Sequence, residues 1–241
     1  MTYNTHAIIL RRRDLGEWDR MYIAYTAEHG KLAFIGKGTR RPKAKLASHL
    51  EPYAEVDLVL ARGRVMDRVT FARVLTPTAA FSATWERAQL AAFIAECTDH
   101  LTRDAHRDLL IFDLLRDAFT RAAHETTDPH ALAIAFTLRL LSALGYAPQL
   151  DRCLECRKAI APGTAIAFPE RGGIMCIRCG SSAPAGIPIT HADRDHLTRA
   201  SASLSPTRPS IGISTFATAQ LHHHLVAPLR TTLTGSSLTR A

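Results

Sequence analysis

Residues 54 to 60 read Ala54-Glu55-Val56-Asp57-Leu58-Val59-Leu60. Ala54, Val56, Leu58 and Leu60 share one face and Glu55 and Asp57 the other, the alternation of a strand with one side buried and one side wet. Outward from this strand the same period recurs on short stretches cut by turn signals. Strands are expected at Thr5 to Arg12, Arg20 to Thr26, Lys31 to Lys37, Tyr53 to Ala61 and Val65 to Leu75, with Glu28-His29-Gly30 and Arg62-Gly63 as tight turns. Five short strands closing on a small core predict an OB-type barrel, and an SH3-like barrel would give a similar string.

After Pro77 the period becomes helical, with helices expected near 84–102, 106–124 and 129–144. Leu132, Phe136, Leu140 and Leu144 form an i, i+4 stripe that ends at Gly145, with Pro148 just beyond. A stretch rich in Pro, Ser and Gly, from Ser181 to Pro188, reads as a connector before two more helices near 190–203 and 212–233. These two could return to pack on the first three. The expectation is therefore an α+β multidomain chain: a five-stranded barrel over 1–78, then a helical bundle over 79–241 with a ribbon inserted at about 150–182.

The ribbon follows from Cys153, Cys156, Cys176 and Cys179. Two C-x2-C knuckles separated by one loop bring four sulfurs to a point, as one tetrahedral zinc ion requires. Two disulfides or free thiols are the plainer alternative. Four thiolates would leave no open coordination position, so the zinc is expected to be structural. The fifth cysteine, Cys97, shares an apolar stripe with Leu90, Phe93, Ile94 and Leu101 and is expected in the core.

No basic start is followed by an apolar stretch, and no run approaches the roughly eighteen apolar residues that a membrane span needs. A soluble, cytoplasmic protein without a membrane partner is expected, and that compartment suits metal ligation better than disulfides. The net charge is +8 and the isoelectric point near 9.6, which favours a polyanionic partner. Residues 1–80 carry fourteen Lys/Arg against eight Asp/Glu, so most of the excess lies there. Lys37, Arg40, Arg41, Lys43 and Lys45 form one acid-free loop between the third and fourth strands, suited to phosphate contact, although a solvated charge run would look the same. Arg11, Arg12 and Arg13 would extend this patch if they share its face. Tyr22, Tyr25, Phe34 and Tyr53 lie on or beside the strands, where aromatic rings pack inward more often than they stack on bases.

His222, His223 and His224 are consecutive on a helix and point about 100° apart, so they read as surface residues, as do His100, His106 and His124. There is no phosphate-binding G-x-x-x-x-G-K-[ST] loop, no H-E-x-x-H, no G-x-S-x-G and no zinc-deaminase H-x-E before P-C-x-x-C. A binding protein, not an enzyme, is expected.

The string Phe136-Thr-Leu-Arg-Leu-Leu-Ser-Ala-Leu-Gly-Tyr146-Ala-Pro-Gln-Leu-Asp-Arg-Cys153-Leu-Glu-Cys156 resembles the third-helix segment and zinc knuckle of the RecO family of bacterial recombination mediators. Supporting pieces are Ala7-Ile-Ile-Leu-Arg-Arg-Arg, Gly30-Lys31-Leu, Lys37-Gly-Thr-Arg40, Leu229-Arg230 and Gly235-Ser-Ser-Leu. The resemblance implies an OB fold, a helical domain and a zinc ribbon. It further implies binding of single- and double-stranded DNA, strand annealing, capture of the acidic tail of the single-strand-binding protein SSB, and loading of RecA together with RecR, without nucleotide hydrolysis. Carried onto matching positions, the DNA contacts would be Arg11, Arg12, Lys31, Lys37, Arg40, Arg41, Lys43 and Lys45. Arg116 and Arg139 would contribute to the SSB-tail pocket. The rival readings are a generic OB-fold single-strand binder, a zinc-containing DNA-processing enzyme and a pure interaction scaffold.

Overall fold

The computed structural model describes residues 1–124, 128–183, 186–204 and 209–224. The part of the last expected helix beyond 224, and with it Leu229, Arg230 and Gly235-Ser-Ser-Leu, lies outside them. The chain divides into two compact units, Met1–Glu125 and Thr126–Ala241.

In the first unit β1 (Thr2–Leu15), β2 (Asp19–Thr26), β3 (Gly30–Gly36), β4 (Glu55–Ala61) and β5 (Asp67–Thr76) form a closed barrel in the order β1-β2-β3-β5-β4. All pairings are antiparallel except β3 with β5, which closes the barrel in parallel. That connectivity is the five-stranded Greek key of the OB fold. The alternation read at 54–60 is realised: Ala54, Val56, Leu58 and Leu60 are buried and Glu55 and Asp57 are not. They meet Ala7, Ile9, Tyr22, Ala24, Phe34, Val69 and Ala72 in one core, where the Tyr22 and Phe34 rings stack at 5.6 Å. β1 runs longer than expected at both ends, because Arg11 to Leu15 continue the hairpin with β2 without any apolar alternation to announce it.

Two helices complete this unit. Thr84 caps α1 (Trp85–Leu101) by accepting from Arg87 N–H, and Asp108 caps α2 (Leu109–Ala122), so α2 starts three residues later than the apolar pattern suggests. α1 packs on β1 and on α2. Phe119 of α2 stacks on Tyr53 at 5.7 Å, and Phe81 meets both rings edge-on. The approach of the barrel to the segment linking the helices is close enough to demand a glycine. Gly30 has φ +69°, and a Cβ there would lie 2.1 Å from the carbonyl oxygen of His106. Cys97 is fully buried, as expected.

The second unit begins with α3 (Pro129–Ala143), capped by Asp128 with Pro129 in its first turn. A three-stranded antiparallel sheet follows in the order β7-β6-β8: β6 (Ala165–Phe168), β7 (Gly173–Cys176) and β8 (Ile187–Ile189), with the one-turn α4 (Ile177–Gly180) after β7. The stretch to Pro188 was expected to be a connector, yet Ile187 and Pro188 belong to β8. An edge strand tolerates the missing N–H of proline. α5 (His191–Ala202) opens with a Thr190/Asp193 capping box, and α6 (Ile211–His224) follows. Both return to pack on α3. Ile134 and Leu138 of α3, Leu197 and Ala200 of α5, and Ile213, Phe216 and Ala217 of α6 share one core with Cys153, Ile160, Ala165, Ala167, Ile174 and Met175 of the ribbon. The ribbon is thus built into the helical core. Among the described residues no helix is long and apolar enough to cross a membrane.

Candidate metal centre and nucleic-acid interface

The four cysteines converge. Their sulfurs all lie within 4.8 Å of one another, close enough for all four to hold one metal ion. The first knuckle is a tight turn in which Arg157 N–H donates to the carbonyl of Cys153 (3.0 Å), Cys153 N–H donates to that of Lys158 (2.9 Å), and Arg157 takes φ +60°. The second knuckle is the corner between β7 and α4, where Cys176 ends the strand and Cys179 sits in the one-turn helix. Leu154 N–H donates to Ile174 (2.9 Å) and Ile174 N–H to Gln149 (3.1 Å), which zips one knuckle onto the other. Gly173 and Gly180 allow this closeness: a Cβ on Gly173 would lie 2.8 Å from the Gln149 carbonyl oxygen, and one on Gly180 3.0 Å from Ile166.

Electrostatics within the cluster favour one thiolate first. Burial alone would raise Cys153, but donation from the backbone N–H groups of Cys176, Cys156 and Glu155, together with the Cys156 thiol, holds its pKa down at about 6. Cys179 is pushed up to about 12 by hydrogen bonding to Cys176, by burial and by the remaining sulfurs. Such crowding of sulfurs is relieved when a cation replaces the shared protons.

The cations expected on the barrel fall into three groups. Lys31 is buried. Its Nζ donates to the carbonyls of Asp99 (2.6 Å) and Thr102 (2.8 Å) and lies 3.3 Å from the carboxylates of both Asp99 and Asp104, fastening β3 to the end of α1. Arg11 also pairs with Asp99, and Arg12 with Glu51 at 2.5 Å. In the second group, Lys37 and Arg40 are exposed but paired, Lys37 with Asp19 at 2.6 Å and Arg40 with Asp14 at 3.3 Å. The Lys37 ammonium and then the Gly38 N–H hold the Asp19 carboxyl below its ordinary pKa. In the third group, Arg41, Lys43 and Lys45 are exposed; among the described residues Lys43 and Lys45 have no carboxylate partner, and Arg41 makes no ion pair but adds to the field that keeps Asp19 ionised. The sequence reading omitted Arg62, Arg64 and Arg68 around the β4–β5 turn, all exposed and with no carboxylate partner described. Their spread along a hairpin, not a run, is what hid them.

Tyr22, Tyr25 and Phe34 are fully buried, and Tyr53 is half-buried against Phe119, so these rings pack inward. His222 and His223 are exposed, and His224 stacks on Tyr146 at 4.1 Å. Arg116 is exposed in the first unit and paired with Asp113 at 2.7 Å. Arg139 belongs to the second unit and donates to the carbonyl of Ser201 at 3.4 Å. Ser201 lines a groove of about 420 Å³ together with Pro148, Leu150, Ile160 and Arg194.

Two family models match the chain in order. The one described as Recombination protein O N terminal covers residues 1–78, and the one described as Recombination protein O C terminal covers 82–231. The DNA repair protein RecO of Cutibacterium acnes is 35% identical over 199 residues, covering 80% of this chain and 78% of that protein. The protein of the same name from a Nocardioides species is 34% identical over 195 residues, with 77% and 78% covered. That from Pelotomaculum thermopropionicum is 32% identical over 177 residues, with 73% and 68% covered. With a closed five-stranded barrel, a helical second unit and four converging cysteines laid along that correspondence, this chain belongs to the RecO family.

Proposed function

We propose that this chain is a non-catalytic mediator of recombinational DNA repair. It binds single- and double-stranded DNA, anneals complementary strands and, with RecR, helps load RecA on strands coated by SSB. The observation that carries this reading is the correspondence with the RecO models through both halves of the chain, over a barrel whose β3–β4 loop presents the exposed cations Arg41, Lys43 and Lys45. Cations of that kind displace condensed counterions and grip a backbone whatever its sequence, which suits a protein that must handle any broken chromosome. A cytoplasmic, nucleoid-associated protein follows from this role.

On this reading Cys153, Cys156, Cys176 and Cys179 hold one zinc ion. Four thiolates saturate a tetrahedral ion, so it supplies folding free energy and no reactive position. The acidic tail of SSB would dock on the second unit, in the groove of Pro148, Leu150 and Ile160 with Arg194 and Arg139 beside it. Holding a strand at one unit and SSB at the other raises the effective concentration of each for the other.

The test is annealing of two complementary oligonucleotides precoated with the cognate SSB. Acceleration by this protein, weakened when Lys37, Arg40, Arg41 and Lys43 are replaced together by alanine, is the expected outcome. DNA binding without any acceleration would reduce the protein to a generic single-strand binder.

A further inference from the structure

Trp18 is one of two tryptophans in the chain and is 44% exposed at the tip of the β1–β2 hairpin, in the three-residue connection Gly16-Glu17-Trp18. A large ring left in water needs a reason. The tip is also held firmly. Arg40 N–H donates to the Trp18 carbonyl (3.0 Å) and Arg40 Nη1 to that of Gly16 (2.8 Å), while Asp19 accepts from Gly38 N–H (2.7 Å) and from Lys37 Nζ (2.6 Å). The hairpin tip and the basic loop after β3 are therefore one fixed piece. Between them lies an open cleft lined by Leu15, Trp18, Lys37 and Arg41, with the carboxylates of Glu17 and Asp19 also on its wall and the Arg41 guanidinium 5.8 Å from the indole centroid.

Two further observations give the cleft a direction. Asp19 pairs with Lys37 and Asp14 with Arg40, so these two cations serve mainly to build it; Arg41 lines it too, within electrostatic reach of Asp19, and the exposed Lys43 and Lys45 follow in the same loop with no carboxylate partner among the described residues. Moreover, Trp18, Phe71, Trp85 and Tyr146 are the exposed aromatic residues among those described, and of these Trp18 alone has a guanidinium over its ring. An aromatic face beside exposed cations is complementary to a base attached to a phosphate chain. Every base has a face to stack, and only an unpaired strand can offer it.

We infer that Trp18 is a stacking platform for one unpaired nucleobase, with Arg41 completing the cleft and Lys43 and Lys45 holding the adjoining phosphates. The inference rests on the DNA-binding reading above and adds to it a residue that distinguishes unpaired from paired strands. One base is pinned per barrel, and the bases beyond it stay free to find a complement.

The Trp85→Phe variant of the full chain leaves Trp18 as the sole indole. It is titrated with a dye-labelled oligo(dT), following indole emission and dye anisotropy together. Quenching that saturates with the anisotropy is expected, along with about tenfold weaker binding for Trp18→Ala, recovery in Trp18→Phe, and equal affinities of wild type and Trp18→Ala for an abasic strand of the same length. Binding by anisotropy with unquenched emission, or with Trp18→Ala at wild-type affinity, overturns the platform and leaves DNA binding standing. No anisotropy change for the intact protein defeats both readings. The exposure of Trp18 spares the core in these variants, and circular dichroism verifies it.

Discussion

Replacing Lys43 and Lys45 together by alanine should weaken single-strand binding at low salt and flatten its salt dependence. Both ammonium groups are exposed and have no carboxylate partner among the described residues, so neither must abandon an internal contact to meet a phosphate. Each phosphate contact on a single strand contributes about 0.7 to the slope of log K against log salt, so losing two changes the slope by about 1.4. Between about 50 and about 200 mM salt the wild type should then lose about sevenfold more affinity than the variant. The assay is fluorescence anisotropy of a labelled oligonucleotide at four or more salt concentrations. The matched comparison is Lys37→Ala/Arg40→Ala, whose cations sit in ion pairs with Asp19 and Asp14 and should alter the slope less. An unchanged slope for the first variant, alongside a flattened one for the second, would refute the division of the loop into free and committed cations.

Lys31→Met should cost about 2 kcal/mol, because it leaves two carbonyls without their donor and the buried Asp99 carboxylate with Arg11 alone, and urea denaturation should record that loss with DNA affinity per folded molecule unchanged; a normal midpoint with lost affinity would return Lys31 to the DNA face. Gly30→Ala forces a Cβ into the His106 backbone at a positive φ and should destabilise the first unit by about 3 kcal/mol or more, read from the same denaturation curves. Cys156→Ser should abolish the binding of one metal ion per chain and loosen α3, α5 and α6, because their core is shared with the ribbon, while hydrogen exchange in the barrel stays as it was. Metal affinity should rise with pH. The Cys179 proton, held to about pH 12 in the metal-free protein, must be displaced at every working pH, whereas Cys153, with its pKa at about 6, surrenders a proton to the metal only below that pH, so the dependence steepens in acid. A metal titration with a flat pH profile would contradict this.

What the sequence revealed, and what it hid, follows from the range of the forces involved. Alternation at 54–60 and the helical stripe ending at Leu144 are local consequences of having one wet side, and both elements stand where the pattern puts them. The short ribbon strands β6, β7 and β8 carry too few residues to show a period. Their pairing is set by the knuckles and by the helices that cover them. The convergence of the four cysteines was legible because C-x2-C spacing encodes geometry by itself. The cations were not so easily sorted: Lys31 reads like any other lysine until Asp99, 68 residues away, closes over it. Trp18 passed unnoticed because a lone tryptophan in a short turn gives no sign that the neighbouring loop will brace it.

The buried contact at Lys31 also decides where the chain can be cut. Its partners Asp99, Thr102 and Asp104 all follow the last barrel strand, as do His106, against which Gly30 is fitted, and Phe119, on which Tyr53 lies. A fragment ended after β5 would present an ammonium shaped for burial, and the rings of its own wall, to bare water. The smallest N-terminal piece that should fold and crystallise alone runs through α2, to about residue 124. A shorter one, although it contains every strand, should aggregate.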